Sequence, residues 1–97
     1  MRPALVCEVC RRPVCPEEAT LAVDPARALR RPPARWLVGH PGCLERAGAF
    51  YQVAAQDLLD PGRRRWWQEH LEGKRWWPGT TGWAQALEAV ARAEVRR

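Results

Sequence analysis

Apolar and polar positions alternate in two short segments of the first half of the chain. Residues 19–23 and 35–39 combine Val, Leu and Trp in strand-like runs, and an Asp-Pro turn signal ends the first of them. We expect both runs to be strands that pair as a hairpin. Their connection, residues 24–34, contains a Pro-Pro step and three arginines, which predicts a stiffened basic loop rather than a tight turn.

Helical spacing follows in the middle of the chain. Apolar residues recur at intervals of three and four across residues 40–59, which predicts one long helix. Asp60-Pro61 then has the residue types preferred at a helix cap and at the first helical position. We expect this second helix to run through Leu71 and to stop at Gly73.

A last helix is predicted near the end of the chain, after a connector that contains Trp76 and Trp77. Thr81 is expected to cap it. Its inward-facing residues are predicted to be Trp83, Leu87 and Val90. Glu88 and Arg92 should form a surface pair, since they lie four residues apart.

Size and composition favour one small folded domain. The chain has 97 residues, 46% of them hydrophobic, which is typical neither of disordered nor of membrane proteins. No stretch approaches the roughly 20 apolar residues of a membrane helix, and the amino-terminal apolar run is too short for a signal peptide. We therefore expect a cytoplasmic protein. The arginine-rich composition, without Ser, Asn or Ile, favours a bacterial, thermophilic source with a GC-rich genome.

Cysteine spacing predicts a metal site. Cys7 and Cys10 form a C-x-x-C pair, and after a spacer of 29 residues His40 and Cys43 form an H-x-x-C pair. Two such half-sites are typical of structural zinc, and a reducing cytoplasm favours thiolates over disulfides. We predict that these four residues hold one structural Zn²⁺. The alternative is an all-cysteine site in which Cys15 replaces His40.

No constellation in the sequence indicates catalysis. Four protein ligands close the coordination sphere of zinc, whereas a catalytic zinc keeps an open position for water. Beyond the predicted ligand His40, His70 is the remaining histidine, and the asparagine typical of HNH nucleases is absent from the chain. We therefore expect a binding module rather than an enzyme.

A knuckle, a hairpin and a helix whose first turn supplies the last two ligands occur in this order over residues 7–50. This order resembles that of the treble-clef zinc finger superfamily. The layout of Cys7, Cys10, His40 and Cys43 is also similar to that of PARP-type zinc fingers. The second resemblance implies binding to DNA ends and nicks through backbone contacts. Treble clefs also occur in ribosomal proteins, adaptors and nucleases, so the fold leaves the function open.

The predicted architecture is therefore an α+β fold in two parts. Residues 1–60 form a treble-clef-like zinc module with a knuckle, a β-hairpin and a helix. Residues 61–97 form a helical extension that packs on this module, so that the chain makes a single compact domain.

Positive charge predicts an acidic partner, with nucleic acid as the leading candidate. The net charge is +5, and three arginines fall in the first turn of the second helix, where the helix dipole disfavours cations. A bound phosphate would relieve that conflict. The alternative is a solvated face paired with Glu69 and Glu72. The candidate phosphate contacts are Arg27, Arg30, Arg31, Arg35, Arg63, Arg64 and Arg65.

Six tryptophans in so short a chain suggest contacts with unpaired bases as well as core packing. Trp66 and Trp76 are the candidates for stacking, and either DNA or RNA would suit them. The alternative function is that of a protein–protein adaptor or a small regulatory subunit of a nucleoprotein complex. In that case exposed tryptophans would dock into a partner.

Overall fold

Short strands and helices alternate along the chain in the computed structural model, which describes residues 5–95. The predicted α+β class is confirmed, and the first four and last two residues of the predicted domain ranges lie outside the described part. In chain order the elements are β1 (Leu5–Val6), β2 (Pro13–Val14), β3 (Thr20–Val23), α1 (Pro25–Arg30), β4 (Ala34–Arg35), β5 (Leu37–Gly39), α2 (Pro41–Arg46), β6 (Tyr51–Ala54), a first 3-10 turn (Ala55–Leu58), α3 (Pro61–Glu72), a second 3-10 turn (Trp77–Gly79), β7 (Thr80–Thr81) and α4 (Trp83–Val95).

A three-stranded antiparallel sheet with β3 in the middle lies at the centre of the fold. β3 pairs with β5 on one side, with Thr20 opposite Gly39, which confirms the predicted hairpin. On the other side β3 pairs with β6, with Val23 opposite Tyr51. All four residues of β3 are buried, because both of its edges and both of its faces are covered.

The long helix predicted over residues 40–59 is wrong beyond its first turns. α2 ends at Arg46, and Gly48 adopts a φ of +89°, a left-handed conformation that glycine accepts readily and that ends the helix. The chain then extends into β6, where Val53 is buried in the sheet opposite Leu21 of β3. The helical spacing of the apolar residues gave a wrong prediction for residues 51–54. This segment pairs with the second edge of β3, whose backbone groups need hydrogen-bonding partners, and the pairing holds it in an extended conformation.

The connection between the two hairpin strands is also more ordered than predicted. It contains α1, which Asp24 caps by accepting hydrogen bonds from the backbone N–H groups of Ala26 and Arg27 at 3.0 and 3.2 Å. Pro25 occupies the first helical position. The basic residues of the predicted loop therefore lie partly on a helix, which fixes the directions in which their Cα–Cβ bonds point.

The predicted second helix is confirmed as α3. Asp60 caps it by accepting from the backbone N–H of Arg63 at 2.9 Å, and Gly73 follows its last residue. The chain then returns to the amino-terminal half, because β7 pairs in parallel with β4. This pairing joins segments almost fifty residues apart, and no local pattern in the sequence indicates it.

The last helix is confirmed as α4, with one shift at its start. Its cap is Gly82 rather than Thr81, because the carbonyl of Gly82 accepts the first helical hydrogen bond, from the N–H of Ala86 at 3.0 Å. The predicted surface pair of Glu88 and Arg92 is present at 2.6 Å. None of the helices within residues 5–95 combines the length and apolar character needed to cross a bilayer.

An aromatic cluster around Trp36 forms the centre of the core. Trp36 is 1% exposed and contacts the rings of Trp83, Trp76, Trp77 and Tyr51 at centroid distances of 4.7, 6.2, 6.4 and 6.4 Å. These residues come from both halves of the chain. One continuous core therefore includes strands of the first half together with α3 and α4.

Replacing Gly79 with alanine should destabilise the fold by about 1–3 kcal/mol, the usual range for overpacking. A Cβ at this position would overlap the carbonyl oxygen of Ala28 in α1, and a backbone atom cannot move aside as a side chain can. Chemical denaturation measures the effect. Gly73→Ala is the matched control, since the nearest atom would lie at an ordinary 3.5 Å. Equal stability of the two variants would show that α1 does not pack closely on the second 3-10 turn.

Candidate metal centre

The structure brings the four predicted metal ligands to one point. Cys7 and Cys10 lie in the turn between β1 and β2, His40 directly follows β5, and Cys43 lies in the first turns of α2. Their ligand atoms all lie within 4.8 Å of one another, and Cys7 and Cys43 are buried. Cys15, the alternative ligand, is exposed and does not belong to this cluster.

Backbone hydrogen bonds shape the amino-terminal half-site, the knuckle formed by residues 7–12. The N–H of Cys7 donates to the carbonyl of Arg12, and the N–H of Arg11 donates to the carbonyl of Cys7, both at 2.9 Å. Arg11 has a φ of 65°, in the left-handed region that glycine commonly occupies after a C-x-x-C pair. The knuckle therefore has the usual tight geometry although an arginine stands where a glycine is typical.

The second half-site approaches the knuckle closely because residue 39 is a glycine. A Cβ on Gly39 would lie 2.5 Å from the Sγ of Cys7. The N–H of the next residue, His40, donates to the same sulfur at 3.4 Å. Sequence reasoning placed Gly39 in a strand and missed this role, because the approach is visible only when the two half-sites are seen together.

The distances between ligand atoms suit a tetrahedral zinc ion. The Nδ1 of His40 lies 3.4 Å from the Sγ of Cys10 and 3.8 Å from the Sγ of Cys43. Zinc bonds of about 2.3 Å to sulfur and about 2.1 Å to nitrogen place neighbouring ligands about 3.6 Å apart in a tetrahedron. Thiolate and imidazole are also the donors that zinc prefers. The cluster is therefore consistent with a single metal ion, zinc fitting best.

The electrostatic surroundings of the two buried thiols differ. Burial raises the pKa of Cys7, but the backbone N–H groups of Cys10, His40 and Val9 stabilise its thiolate and bring the pKa down to about 6. Burial, followed by the neighbouring sulfurs of Cys10 and Cys7, raises the pKa of Cys43. Cys43 thus depends more than Cys7 on a cation to keep its sulfur charged.

Arg46 is a residue of the centre that sequence reasoning missed. Its guanidinium donates a hydrogen bond to the Sγ of Cys43 at 3.5 Å. Three thiolates and one Zn²⁺ carry a formal charge of about −1, so a nearby guanidinium offsets the excess. The signal in the sequence is the spacing, since Arg46 follows Cys43 by three residues in the same helix.

Hydrogen bonds and an ion pair of Glu8 also hold the knuckle against the segment of β4 and β5. The carboxylate of Glu8 accepts from the backbone N–H of Val38 at 2.7 Å and pairs with Arg35 at 2.8 Å. The N–H of Glu8 donates to the carbonyl of Val38 at 3.0 Å. Arg35, a predicted phosphate contact, therefore already has an anionic partner within the chain.

The other predicted phosphate contacts divide into two groups. Arg27, Arg30 and Arg31 are exposed on α1 and at its end, and none of the described carboxylates lies within 4 Å of them.

The second group lies in α3, where Arg63 pairs with Asp57 at 3.4 Å. Arg64 and Arg65 have no such pair with any carboxylate whose side chain the structure describes, and Arg65 is the more exposed of the two. Both α1 and α3 contact the second 3-10 turn, so the two groups flank one segment.

The two tryptophans proposed for stacking have different surroundings. Trp76 is half-buried, with its ring 4.8 Å from that of Tyr51 and 6.2 Å from that of Trp36. Trp66 is 56% exposed on α3. The structure therefore places Trp76 in the core cluster and leaves Trp66 accessible.

Fold and site together define a small α+β domain with a buried cluster of three cysteines and one histidine. Comparison of the chain with protein-family models, with curated proteins and with solved structures gave no match.

Purified protein should contain one zinc ion per chain, and Cys43→Ser should remove most of it. The variant loses one of four ligands and should unfold at a lower temperature, because metal binding and folding are coupled in sites of this kind. Elemental analysis and thermal denaturation measure both effects. Cys15→Ser is the control and should keep its zinc, since the Cys15 thiol is outside the cluster. Loss of zinc from the control with retention in Cys43→Ser would contradict the ligand set.

Gly39→Ala should weaken zinc binding by about 10-fold or more, the size of effect seen when groups that position metal ligands are changed. The added methyl group would force the Cys7 sulfur out of the tetrahedron. Competition with a chromogenic chelator measures the affinity. Gly42→Ala, beside Cys43, is the control, because nothing lies within 4 Å of its added Cβ. Equal affinities for the two variants would contradict the close approach at Gly39.

Proposed function

We propose that this protein is a non-enzymatic zinc-binding module that binds nucleic acid through the arginines of α1 and α3. The observation that carries the proposal is the exposed set Arg27, Arg30 and Arg31, which has no described carboxylate within salt-bridge distance. Exposed guanidinium groups that no described carboxylate neutralises favour a polyanionic partner. The net charge of +5 supports the same conclusion.

The zinc ion in this proposal has a structural role. Four protein ligands fill a tetrahedral sphere and leave no position for a substrate or a catalytic water. The arrangement of the knuckle, the hairpin of β3 and β5, and the start of α2 supports a treble-clef-like architecture. Nucleic acid would then bind to side chains around the zinc module rather than to the metal.

The start of α3 is less suited to a free phosphate than its sequence suggests. Asp60 already accepts from one of the N–H groups at this terminus, and Asp57 pairs with Arg63. An exposed ion pair of this kind contributes about 0–1 kcal/mol, so a phosphate can replace it at small cost. We therefore assign the main phosphate contacts to α1 and additional contacts to Arg64 and Arg65.

Replacing Arg27, Arg30 and Arg31 together with glutamine should weaken nucleic-acid binding and flatten its salt dependence. Each lost phosphate contact should reduce the slope of log affinity against log salt by about 0.7–0.9. Fluorescence anisotropy with a labelled oligonucleotide over a salt series measures both quantities. Arg92→Gln is the control, because Arg92 is already paired with Glu88 on α4. The proposal fails if the parent protein binds no oligonucleotide at low salt, or if the triple variant keeps the parent slope.

A groove beside α4 favours the second candidate function, a protein-binding adaptor. It encloses about 680 Å³ between α4 and the strands β1 and β5, and its floor is mainly apolar. A partner held in such a groove would stay bound at high salt, whereas phosphate contacts weaken. The residues that line it include Leu5, Val6, Trp36, Val38, Ala86, Ala89 and Ala93.

A further inference from the structure

Trp66 is an exposed indole whose orientation is fixed by its neighbours. Its ring stacks on the ring of His70 with a centroid distance of 4.8 Å and an interplanar angle of 9°. Trp67 stands perpendicular to both rings, at 5.0 Å from Trp66 and 5.7 Å from His70. One face of the Trp66 indole is thus covered, and Trp66 is still 56% exposed.

The opposite face of the indole is left open by a glycine. Residues four positions apart lie on the same side of a helix, and helical side chains lean towards the amino terminus. His70 follows Trp66 by four residues, and Gly62 precedes it by four. Gly62 has no side chain, and Arg63, three residues before Trp66, directs its guanidinium to Asp57. None of the described cations lies over the indole, so this second face is accessible.

The charges close to this surface suit a nucleotide. Arg63 lies one turn before Trp66, and Arg65 is adjacent to it in sequence and exposed. Arg65 has no described carboxylate within 4 Å, and the exposed pair of Arg63 with Asp57 is weak enough to be exchanged for a phosphate. A flat aromatic surface beside guanidinium groups matches a ligand that combines a base with a phosphate.

We propose that Trp66 stacks on an unpaired base, with His70 as the positioning residue, and that the preferred partner is therefore single-stranded nucleic acid. This inference rests on the proposed nucleic-acid function and specifies its substrate class. In a duplex both faces of each internal base are already stacked on neighbouring bases, so the Trp66 surface has nothing to contact except at the ends. A single strand offers free base faces along its whole length.

The test compares a labelled single-stranded oligonucleotide with a hairpin duplex of the same number of phosphates whose loop is a linker without bases. Trp66→Ala should weaken single-strand binding by roughly fivefold to 100-fold, the range for removal of one aromatic stacking partner, and leave duplex binding unchanged. Trp66→Phe should restore most of the loss, because it keeps an aromatic face. His70→Ala should give a smaller loss in single-strand binding only.

A steric variant tests the open face without removing the indole. Gly62→Leu should reduce single-strand binding as Trp66→Ala does, because its side chain would lie over the second face of Trp66. Gly62→Ala is the matched control and should bind like the parent, since a methyl group is too short to cover the ring. Helix propensity favours both substitutions over glycine, and both place a Cβ 3.3 Å from the capping carboxylate of Asp60. Circular dichroism should therefore show the same fold for the two variants, which differ only in the reach of the side chain.

The outcomes separate this inference from the function on which it rests. The stacking proposal is overturned if the parent binds the hairpin as tightly as the single strand, or if Trp66→Ala and Gly62→Leu both bind single strands like the parent. The nucleic-acid function survives either result if the α1 triple variant still loses affinity. If the parent binds neither oligonucleotide at low salt, both proposals fail and Trp66 is left as a surface for a protein partner.

Discussion

The convergence of four ligand atoms on one point is the constraint from which the rest of the fold follows. The knuckle carries two of them, and the other two come from a segment some thirty residues later, so their meeting fixes how β5 and α2 lie against the knuckle. In a chain of this size a metal centre can contribute as much to folding as a modest hydrophobic core. Burial of two thiolates near a third is favourable only when a cation balances their charge.

One short segment connects this centre to the core. Residues 34–43 contain β4, the buried Trp36, β5 and the candidate ligands His40 and Cys43. The parallel pairing of β4 with β7 and the packing of Trp36 on Trp83 attach α4 to the same segment. A change in the metal centre should therefore alter the packing of the aromatic cluster, because both depend on the position of this one stretch of chain.

The surface that carries the proposed function is separate from these two centres. The arginines of α1 are exposed on a short helix whose Ala28 packs closely on Gly79. Trp66 is exposed on α3, where its ring contacts the rings of Trp67 and His70. Neither group is needed to fill the core. Charge and aromatic surface that the fold does not use are available for a partner.

The sequence by itself determined the features that depend on near neighbours in the chain. The two ligand pairs, the hairpin strands and the start of α3 at Asp60-Pro61 all follow from the chemistry of a few consecutive residues, and each could be predicted. Only the tertiary structure decided that residues 51–54 form a strand and that β4 pairs with β7. It also decided that a side chain at position 39 would overlap the Cys7 sulfur and that Arg46 donates a hydrogen bond to Cys43. These features depend on which distant surfaces meet. Short apolar runs satisfy helical and extended spacing equally well until a neighbouring strand supplies the hydrogen bonds that select one of them.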